Sequence, residues 1–121
     1  PLLVHTGPGA PIALPIMCLP LARRFPDLTI ILCHAGYAFY AGEATIVASE
    51  AKNMILEPSW CTPLDLTGMS RRVGVDRMQM GTDGVINIAT ELTKARSIGL
   101  NDRDLAAYLG GTATRVFKLP S

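Results

Sequence analysis

Short apolar runs alternate along the chain with segments of helical composition, and each run ends in a turn. The runs with strand character cover residues 2–5, 28–33, 53–57 and 77–82. Residues 28–33 show almost no polar alternation, which is typical of a parallel strand covered on both faces. The pattern therefore predicts an α/β fold of four consecutive βα units with parallel strands.

Helical segments fill the intervals between these runs. Pro15 and Pro20 divide residues 12–25 into two short helices, because proline suits only the first turn of a helix. Longer helices are predicted over residues 39–51, 63–73 and 86–98, and a last one runs from an Asn101 cap to about Leu109. Gly110-Gly111 interrupts that helix before residues 112–117. With no linker or low-complexity tract, residues 1–121 are predicted to form one domain, or half of one.

Metal-binding types of side chain stand at three of the predicted strand ends. His5 ends the first strand, His34 follows the second and Asp83 follows the fourth, and each precedes a turn with small residues. Parallel α/β folds place their chemistry at the carboxyl ends of strands. His5 and His34 are also the only histidines. Together the three residues predict a metal site, although the ligand set is small.

Each of these residues also has a purely structural interpretation. A histidine at a strand end can bond to a loop carbonyl, and Asp83 can be a metal ligand, a general base or a helix cap. Strand alternation predicts that an inward-pointing His34 shares its face with Leu32 and Ile30. A catalytic pair of Cys33 with His34 is improbable, because neighbours on a strand point to opposite faces.

Four further features are weaker candidates. Glu57 is interpreted either as lining a pocket or as an ion-paired or solvated carboxylate, Trp60 as packing, and Asn87 as a helix cap. The Gly7-Pro8-Gly9 loop fits neither the dinucleotide fingerprint nor a P-loop. It predicts a turn that brings the backbone close to a ligand.

Composition narrows the class of protein. The chain is 49% apolar and 17% charged, which excludes disorder and predicts a surface hidden against a partner, such as a second copy. Its net charge of +1 is scattered, so nucleic-acid binding is unsupported. No apolar run approaches the roughly 18 residues of a membrane helix, and no signal peptide is visible. Three cysteines without a Cys-x-x-Cys pair predict reduced thiols and a cytoplasmic location.

The strand-end residues belong to an ordered set of motifs that covers essentially the whole chain. The motifs are His5-Thr6-Gly7, Arg24-Phe25-Pro26-Asp27-Leu28, His34-Ala35-Gly36, Asp76-Arg77, Gly81-Thr82-Asp83 and Gly110-Gly111-Thr112-Ala113. This set resembles the amidohydrolase-related family of metal-dependent hydrolases, which includes aminocarboxymuconate-semialdehyde decarboxylase. Many members of that family place a residue and then a proline after the aspartate, whereas Gly84-Val85 follows Asp83 here.

The resemblance implies the C-terminal half, strands five to eight, of a (β/α)8 barrel, a fold of roughly 250 residues. That the chain opens at once on a strand after Pro1 also predicts a piece of something longer. By resemblance, His5 and Asp83 are ligands of a divalent metal, zinc first among the candidates. His34 and Asp83 then move protons to and from a metal-activated water. The His-x-His ligand pair of the family's first strand is absent.

The implied function is hydrolysis of a small molecule that carries a carbonyl or carboxylate group. Non-oxidative decarboxylation within the same family is one alternative. A non-catalytic half-barrel that self-associates is another, because four βα units leave two open sheet edges. A small flavodoxin-like domain that binds an anion at residues 7–11 is a weaker alternative, since it leaves the histidines unexplained.

Overall fold

The computed structural model describes residues 1–120, and three parallel strands form its sheet. The strands are β1 (Leu2–His5), β2 (Ile30–Cys33) and β3 (Met54–Glu57), and they lie in the order β1-β2-β3. The predicted α/β class and the first three strands are therefore confirmed. Sequential parallel strands need crossovers, and helices supply them here.

Six α-helices accompany the sheet. They are α1 (Leu19–Arg24), α2 (Tyr37–Glu50), α3 (Pro63–Arg72), α4 (Ile88–Ser97), α5 (Asp102–Ala106) and α6 (Thr112–Phe117). A 3₁₀ turn at Pro15–Cys18 precedes α1, so the segment with two prolines does form two short helical pieces. Asn101 caps α5 by accepting the amide of Asp104 at 2.9 Å, as predicted. A π turn at Ala107–Gly111 joins α5 to α6, in place of a break at the two glycines.

Alternation along the strands divides the sheet into two faces. Leu32 and Leu56, with Val4 beside them in register, pack against a core that includes Ala44 of α2 and Leu66 of α3. The neighbouring row, His5–Cys33–Glu57, lies on the opposite face because side chains alternate with a period of two. The face that carries His5 and Glu57 is therefore turned away from the core helices.

The predicted fourth strand over residues 77–82 does not form, and the expectation of four complete βα units is wrong at this point. Only an isolated parallel bridge between Leu56 and Met78 continues the sheet, with the Gln79 amide on the Leu56 carbonyl at 2.9 Å. The next amide, that of Met80, donates instead to the Tyr108 carbonyl at 2.9 Å. The backbone at residues 79–80 therefore contacts β3 on one side and the helical tail on the other, and the ladder with β3 does not extend beyond this bridge.

Strand β1 forms an edge of the sheet. Leu2 and Leu3 on it are 39% and 54% exposed. An unpaired strand edge with apolar side chains is a surface on which another strand can pair. None of the helices in residues 1–120 is long and apolar enough to cross a membrane.

Candidate functional site

His34 lies directly after β2, in a turn with an unusual backbone. Its φ is 65°, and the next residues, Ala35 and Tyr37, are also in the left-handed region at 41° and 56°. Such conformations cost about 1–3 kcal/mol each for residues with a side chain. Because the chain leaves the β conformation at His34, strand alternation no longer applies to it. Ile30 and Leu32 point into the helix-covered core, so the expectation that they share the face of His34 is wrong.

Left-handed backbone is concentrated at this end of the sheet. Of the six non-glycine residues with positive φ in the described chain, five lie here: His34, Ala35, Tyr37, Trp60 and Asp83. Residues held in such conformations cluster at active sites and ligand clamps. The local strain therefore marks the same strand ends as the sequence motifs.

A buried chain of hydrogen bonds holds the ring of His34. Its Nδ1 is 2.7 Å from Oγ of Ser59, and that hydroxyl donates to Oε2 of Glu57 at 3.1 Å. The backbone amides of His34 and Ser59 both donate to the same carboxylate, each at 3.0 Å. Glu57, which the sequence left open between pocket lining and ion pairing, is thus a buried anchor for the His34 turn.

These contacts select one tautomer of His34. A carboxylate can only accept, so the single hydroxyl proton of Ser59 is directed to Glu57. The Ser59 oxygen then accepts a proton from Nδ1–H of the ring, and Nε2 of the neutral imidazole carries the free lone pair. His34 therefore presents Nε2 as its basic atom toward the open end of the sheet. Hydrogen bonding of this kind also fixes ring orientation in catalytic histidines.

Asp83 lies on the Nε2 side of His34. Its Oδ1 is 3.9 Å from Nε2 of His34, and its Oδ2 accepts the indole N–H of Trp60 at 3.0 Å. The side chain is 51% exposed. The structure gives Asp83 no capping bond, because Gly84 precedes the 3₁₀ turn Val85–Asn87. Of the roles left open for Asp83, a proton-transfer or ligand role fits this placement better than capping.

His5 completes the cluster. It is exposed at the end of β1, and its ring centroid is 5.1 Å from that of His34 in an edge-on contact. The structure thus brings together all three residues singled out from the strand ends, His5, His34 and Asp83. Up to 78 positions separate them in the sequence, and their placement at strand ends was the signal that predicted their proximity.

The described residues do not by themselves make a complete metal site. No group of three His, Cys, Asp or Glu side chains in residues 1–120 is arranged to hold a metal ion. Nδ1 of His34 is engaged by Ser59, and the donor atoms that remain are Nε2 of His34, the ring nitrogens of His5 and Oδ1 of Asp83. Catalytic zinc sites use three protein ligands and structural ones four. Because no three of the described side chains are arranged to hold an ion, the described part of the chain does not fit a metal unaided.

Thr6 was missed as a site residue. Its buried Oγ1 donates to the Cys33 carbonyl at 2.9 Å and accepts the Gly36 amide at 2.8 Å. It joins the end of β1 to the turn that carries His34. In the sequence, only the position of Thr6 between His5 and Gly7 could have indicated this role.

The surroundings of Gly81 explain why a glycine precedes Thr82 and Asp83. A Cβ built at this position would lie 2.2 Å from Oε1 of Glu57, closer than atoms can approach. Only glycine lets the chain cross over the carboxylate that anchors His34. Gly81 therefore links the placement of Glu57 to the path of the backbone that leads to Asp83.

Two other weak candidates make contacts that the predictions did not include. Trp60 is half exposed and stacks on Tyr37, with ring centroids 5.8 Å apart and an interplanar angle of 12°. It also bonds to Asp83, so packing alone does not describe it. Asn87 occupies the N-cap position of α4, as predicted, but its side chain makes no capping bond: its Nδ2 donates to Oε1 of Glu91 at 3.2 Å.

The cysteines are free, as reduced thiols would be. Burial, and then the charge of Glu57, raises the pKa of the Cys33 thiol to about 11. Burial raises the pKa of Cys61 to about 12, and its Sγ donates to the His34 carbonyl at 3.2 Å. Neither thiol is set up as a nucleophile near neutral pH. The cytoplasmic location stays a prediction.

The likeness of this chain to known proteins is found by comparing structures. No protein-family model matches the chain, and no curated protein matches it. An uncharacterised TIM-barrel protein from Bordetella bronchiseptica superposes with a TM-score of 0.76 at 20% identity, over 97% of this chain and 46% of that one.

Two enzymes of known class superpose nearly as well. An amidohydrolase from Burkholderia multivorans with bound zinc gives a TM-score of 0.69 at 16% identity, over 88% of this chain and 49% of that one. A dihydroxybenzoic acid decarboxylase from a Polaromonas species, with bound manganese and the inhibitor 2-nitroresorcinol, gives 0.68 at 20% identity, over 92% and 42%.

These likenesses define the fold. The chain has the fold of part of a TIM barrel, and it spans less than half the length of each of these proteins. The half-barrel expectation is confirmed at that level. The neighbours include amidohydrolase and decarboxylase barrels, as the sequence resemblance implied. The closer likeness to aminocarboxymuconate-semialdehyde decarboxylase stays a prediction.

Proposed function

We propose that this chain is the C-terminal part of a metal-dependent hydrolase of the amidohydrolase type, acting on a small molecule with a carbonyl or carboxylate group. The observation that carries the proposal is the fixed ring of His34, whose free Nε2 lies 3.9 Å from Asp83. A positioned imidazole beside a carboxylate is a general acid–base arrangement. Structural neighbours that bind zinc or manganese support the divalent metal.

In this proposal the chain's own residues divide the work. His34 accepts and returns a proton at Nε2, while Ser59 and Glu57 hold its other nitrogen. The carboxylate of Asp83 stabilises the imidazolium that forms, since opposite charges at such a distance attract. His5 and Asp83 are assigned as metal donors, and the remaining donors come from outside residues 1–120.

Zinc titration of the chain tests the assignment. Isothermal calorimetry on the wild type, His5→Ala and Asp83→Ala compares the donors directly, and Asp27→Ala, an exposed carboxylate elsewhere, is the matched control. We expect weak zinc binding in the wild type and control, with an affinity at least tenfold lower in the two variants. Zinc binding by the wild type that is no tighter than by either variant contradicts the assignment.

Non-oxidative decarboxylation is the second candidate function. The stacked rings of Tyr37 and Trp60 favour it, because they lie beside His34, with the Tyr37 centroid 6.2 Å from that of His34. Flat aromatic surfaces suit an aromatic acid. In such a reaction His34 first takes a proton from water at Nε2; the bond from ring carbon to carboxylate then breaks, CO₂ leaves, and His34 gives that proton to the carbon.

A binding measurement separates this alternative from hydrolysis. The inhibitor 2-nitroresorcinol, found in the decarboxylase structure, serves as the probe, and Trp60, the single tryptophan, reports its binding by fluorescence. The decarboxylase alternative predicts saturable quenching that Tyr37→Ala weakens. Quenching that rises linearly without saturation, or is unchanged in Tyr37→Ala, argues against it.

Self-association is a third proposal, carried by the exposed edge of β1. A second copy could cover Leu2 and Leu3 and pair with the free strand edge. Sedimentation velocity at low micromolar concentration is the test, with Leu3→Lys as the matched variant because a charge at an edge opposes pairing. We expect a dimer that the variant dissociates. A wild-type monomer contradicts the proposal.

A further inference from the structure

A buried ion pair lies on α4, outside the cluster of His5, His34 and Asp83. Glu91 is 1% exposed and Lys94 is 8% exposed, and Nζ of the lysine is 2.5 Å from Oε2 of the glutamate. Burying two charges carries a desolvation penalty that often exceeds their mutual attraction. Apolar residues of similar size would usually support the fold as well. The residues that Glu91 and Lys94 contact therefore indicate the role of the pair.

Both members of the pair contact the loop that follows β3. Nζ of Lys94 donates to the carbonyls of Pro58 and Cys61, at 3.1 and 2.9 Å. Oε1 of Glu91 accepts the backbone amide of Trp60 at 3.1 Å. Residues 58–61 are thus held at both ends and in the middle by one buried pair.

The held loop places the indole of Trp60 on Asp83. Trp60 has a φ of 67°, a conformation that a tryptophan keeps only when its surroundings fix it. In that conformation its Nε1 donates to Oδ2 of Asp83 at 3.0 Å. Because Oδ2 is engaged, the other carboxylate oxygen, Oδ1, faces Nε2 of His34.

We propose that Glu91 and Lys94 are positioning residues, which act through Trp60 to fix the orientation of the Asp83 carboxylate. The functional meaning of this inference rests on the role proposed for Asp83. The geometry itself is independent of metal and substrate. It gives the anchoring of residues 58–61 by this buried pair a consequence at Asp83.

The single tryptophan makes the inference testable. Hydrogen exchange of the Trp60 indole N–H, followed by NMR, reports whether Asp83 still accepts it. Asp83→Ala supplies the exchange rate of an unbonded indole. Val47→Ala, which truncates a buried core residue of α2, is the control for general destabilisation.

We expect Glu91→Leu and Lys94→Met to exchange the indole proton at least tenfold faster than the wild type, approaching Asp83→Ala, while Val47→Ala keeps the wild-type rate. If a single variant fails to fold, the double variant Glu91→Leu/Lys94→Met removes both buried charges, so that neither is left unpaired, and should retain the fold. Its indole should exchange as fast.

Wild-type exchange rates in folded Glu91 or Lys94 variants, or in the double variant, overturn the inference. Equally fast exchange in Val47→Ala also overturns it, because the indole would then report global stability. A failed zinc titration has no bearing on this result. The two proposals can therefore fail separately.

Discussion

The two sides of the candidate site differ in how completely this chain builds them. His34 is buried, and Ser59 and Glu57 hold its ring and backbone. On the other side His5 is exposed, and the half-exposed Asp83 accepts one hydrogen bond, from Trp60. The His34 side is held by buried partners within the chain, whereas the side of His5 and Asp83 is open to solvent.

This difference indicates which parts of the site can work without further polypeptide. A histidine whose tautomer and orientation are fixed by buried partners keeps its geometry in the isolated chain. The two proposed metal donors, His5 and Asp83, need further ligands, because two side chains rarely complete a coordination shell. The account therefore predicts strong effects from substitutions around His34 and weak ones around His5.

The largest effect is expected from Gly81→Ala. The new Cβ would collide with the Glu57 carboxylate and displace the anchor of His34. We expect a loss of about 2–3 kcal/mol in the free energy of unfolding, which is the upper part of the range of about 1–3 kcal/mol for overpacking. Urea denaturation measures it. Gly84→Ala is the matched control, because a Cβ there meets nothing within 4 Å, and equal losses in both variants would refute this explanation.

A smaller effect is expected from Ser59→Ala. The variant leaves Nδ1 of His34 and one lone pair of Glu57 without their buried partner. Such a loss costs about 1–2 kcal/mol. Thermal unfolding checks the value against Ser70→Ala, whose hydroxyl bonds only within α3, to the Thr67 carbonyl. A loss no larger than in that control would show that the hydrogen-bond chain contributes little.

The smallest effect is expected from His5→Ala. The side chain is exposed, so its removal should change the free energy of unfolding by no more than about 0.5 kcal/mol. Urea denaturation, as for Gly81→Ala, measures this change in the free energy of unfolding. A loss as large as in Ser59→Ala would mean that the two sides are equally well anchored, and the comparison would fail.

The sequence predicted the parts of this structure that depend on local pattern. Apolar runs located the strands, proline located the break before α1, and the Asn101–Asp104 pair located the start of α5. The motifs also selected the three residues that the fold brings together. In each case the signal lay within a few neighbouring residues.

Features that depend on distant contacts could not be predicted. Residues 77–82 have strand composition, but they form only an isolated bridge to Leu56, and the Met80 amide donates to the carbonyl of the distant Tyr108. The direction of His34 depends on a left-handed backbone that strand alternation does not anticipate. Ser59 is an ordinary serine in a loop until Glu57 and His34 meet on either side of it.

Ser59 and Glu57 fix His34 in one tautomer, whereas His5 is exposed, and one experiment can compare these two histidines. Long-range ¹H–¹⁵N NMR correlations of the imidazole rings, recorded without metal at a pH where both rings are neutral, report the tautomer of each. We expect the ring proton of His34 to be on Nδ1 alone, and we expect His5 to be a mixture of both tautomers. A tautomer mixture at His34, or a proton on Nε2, would contradict this expectation.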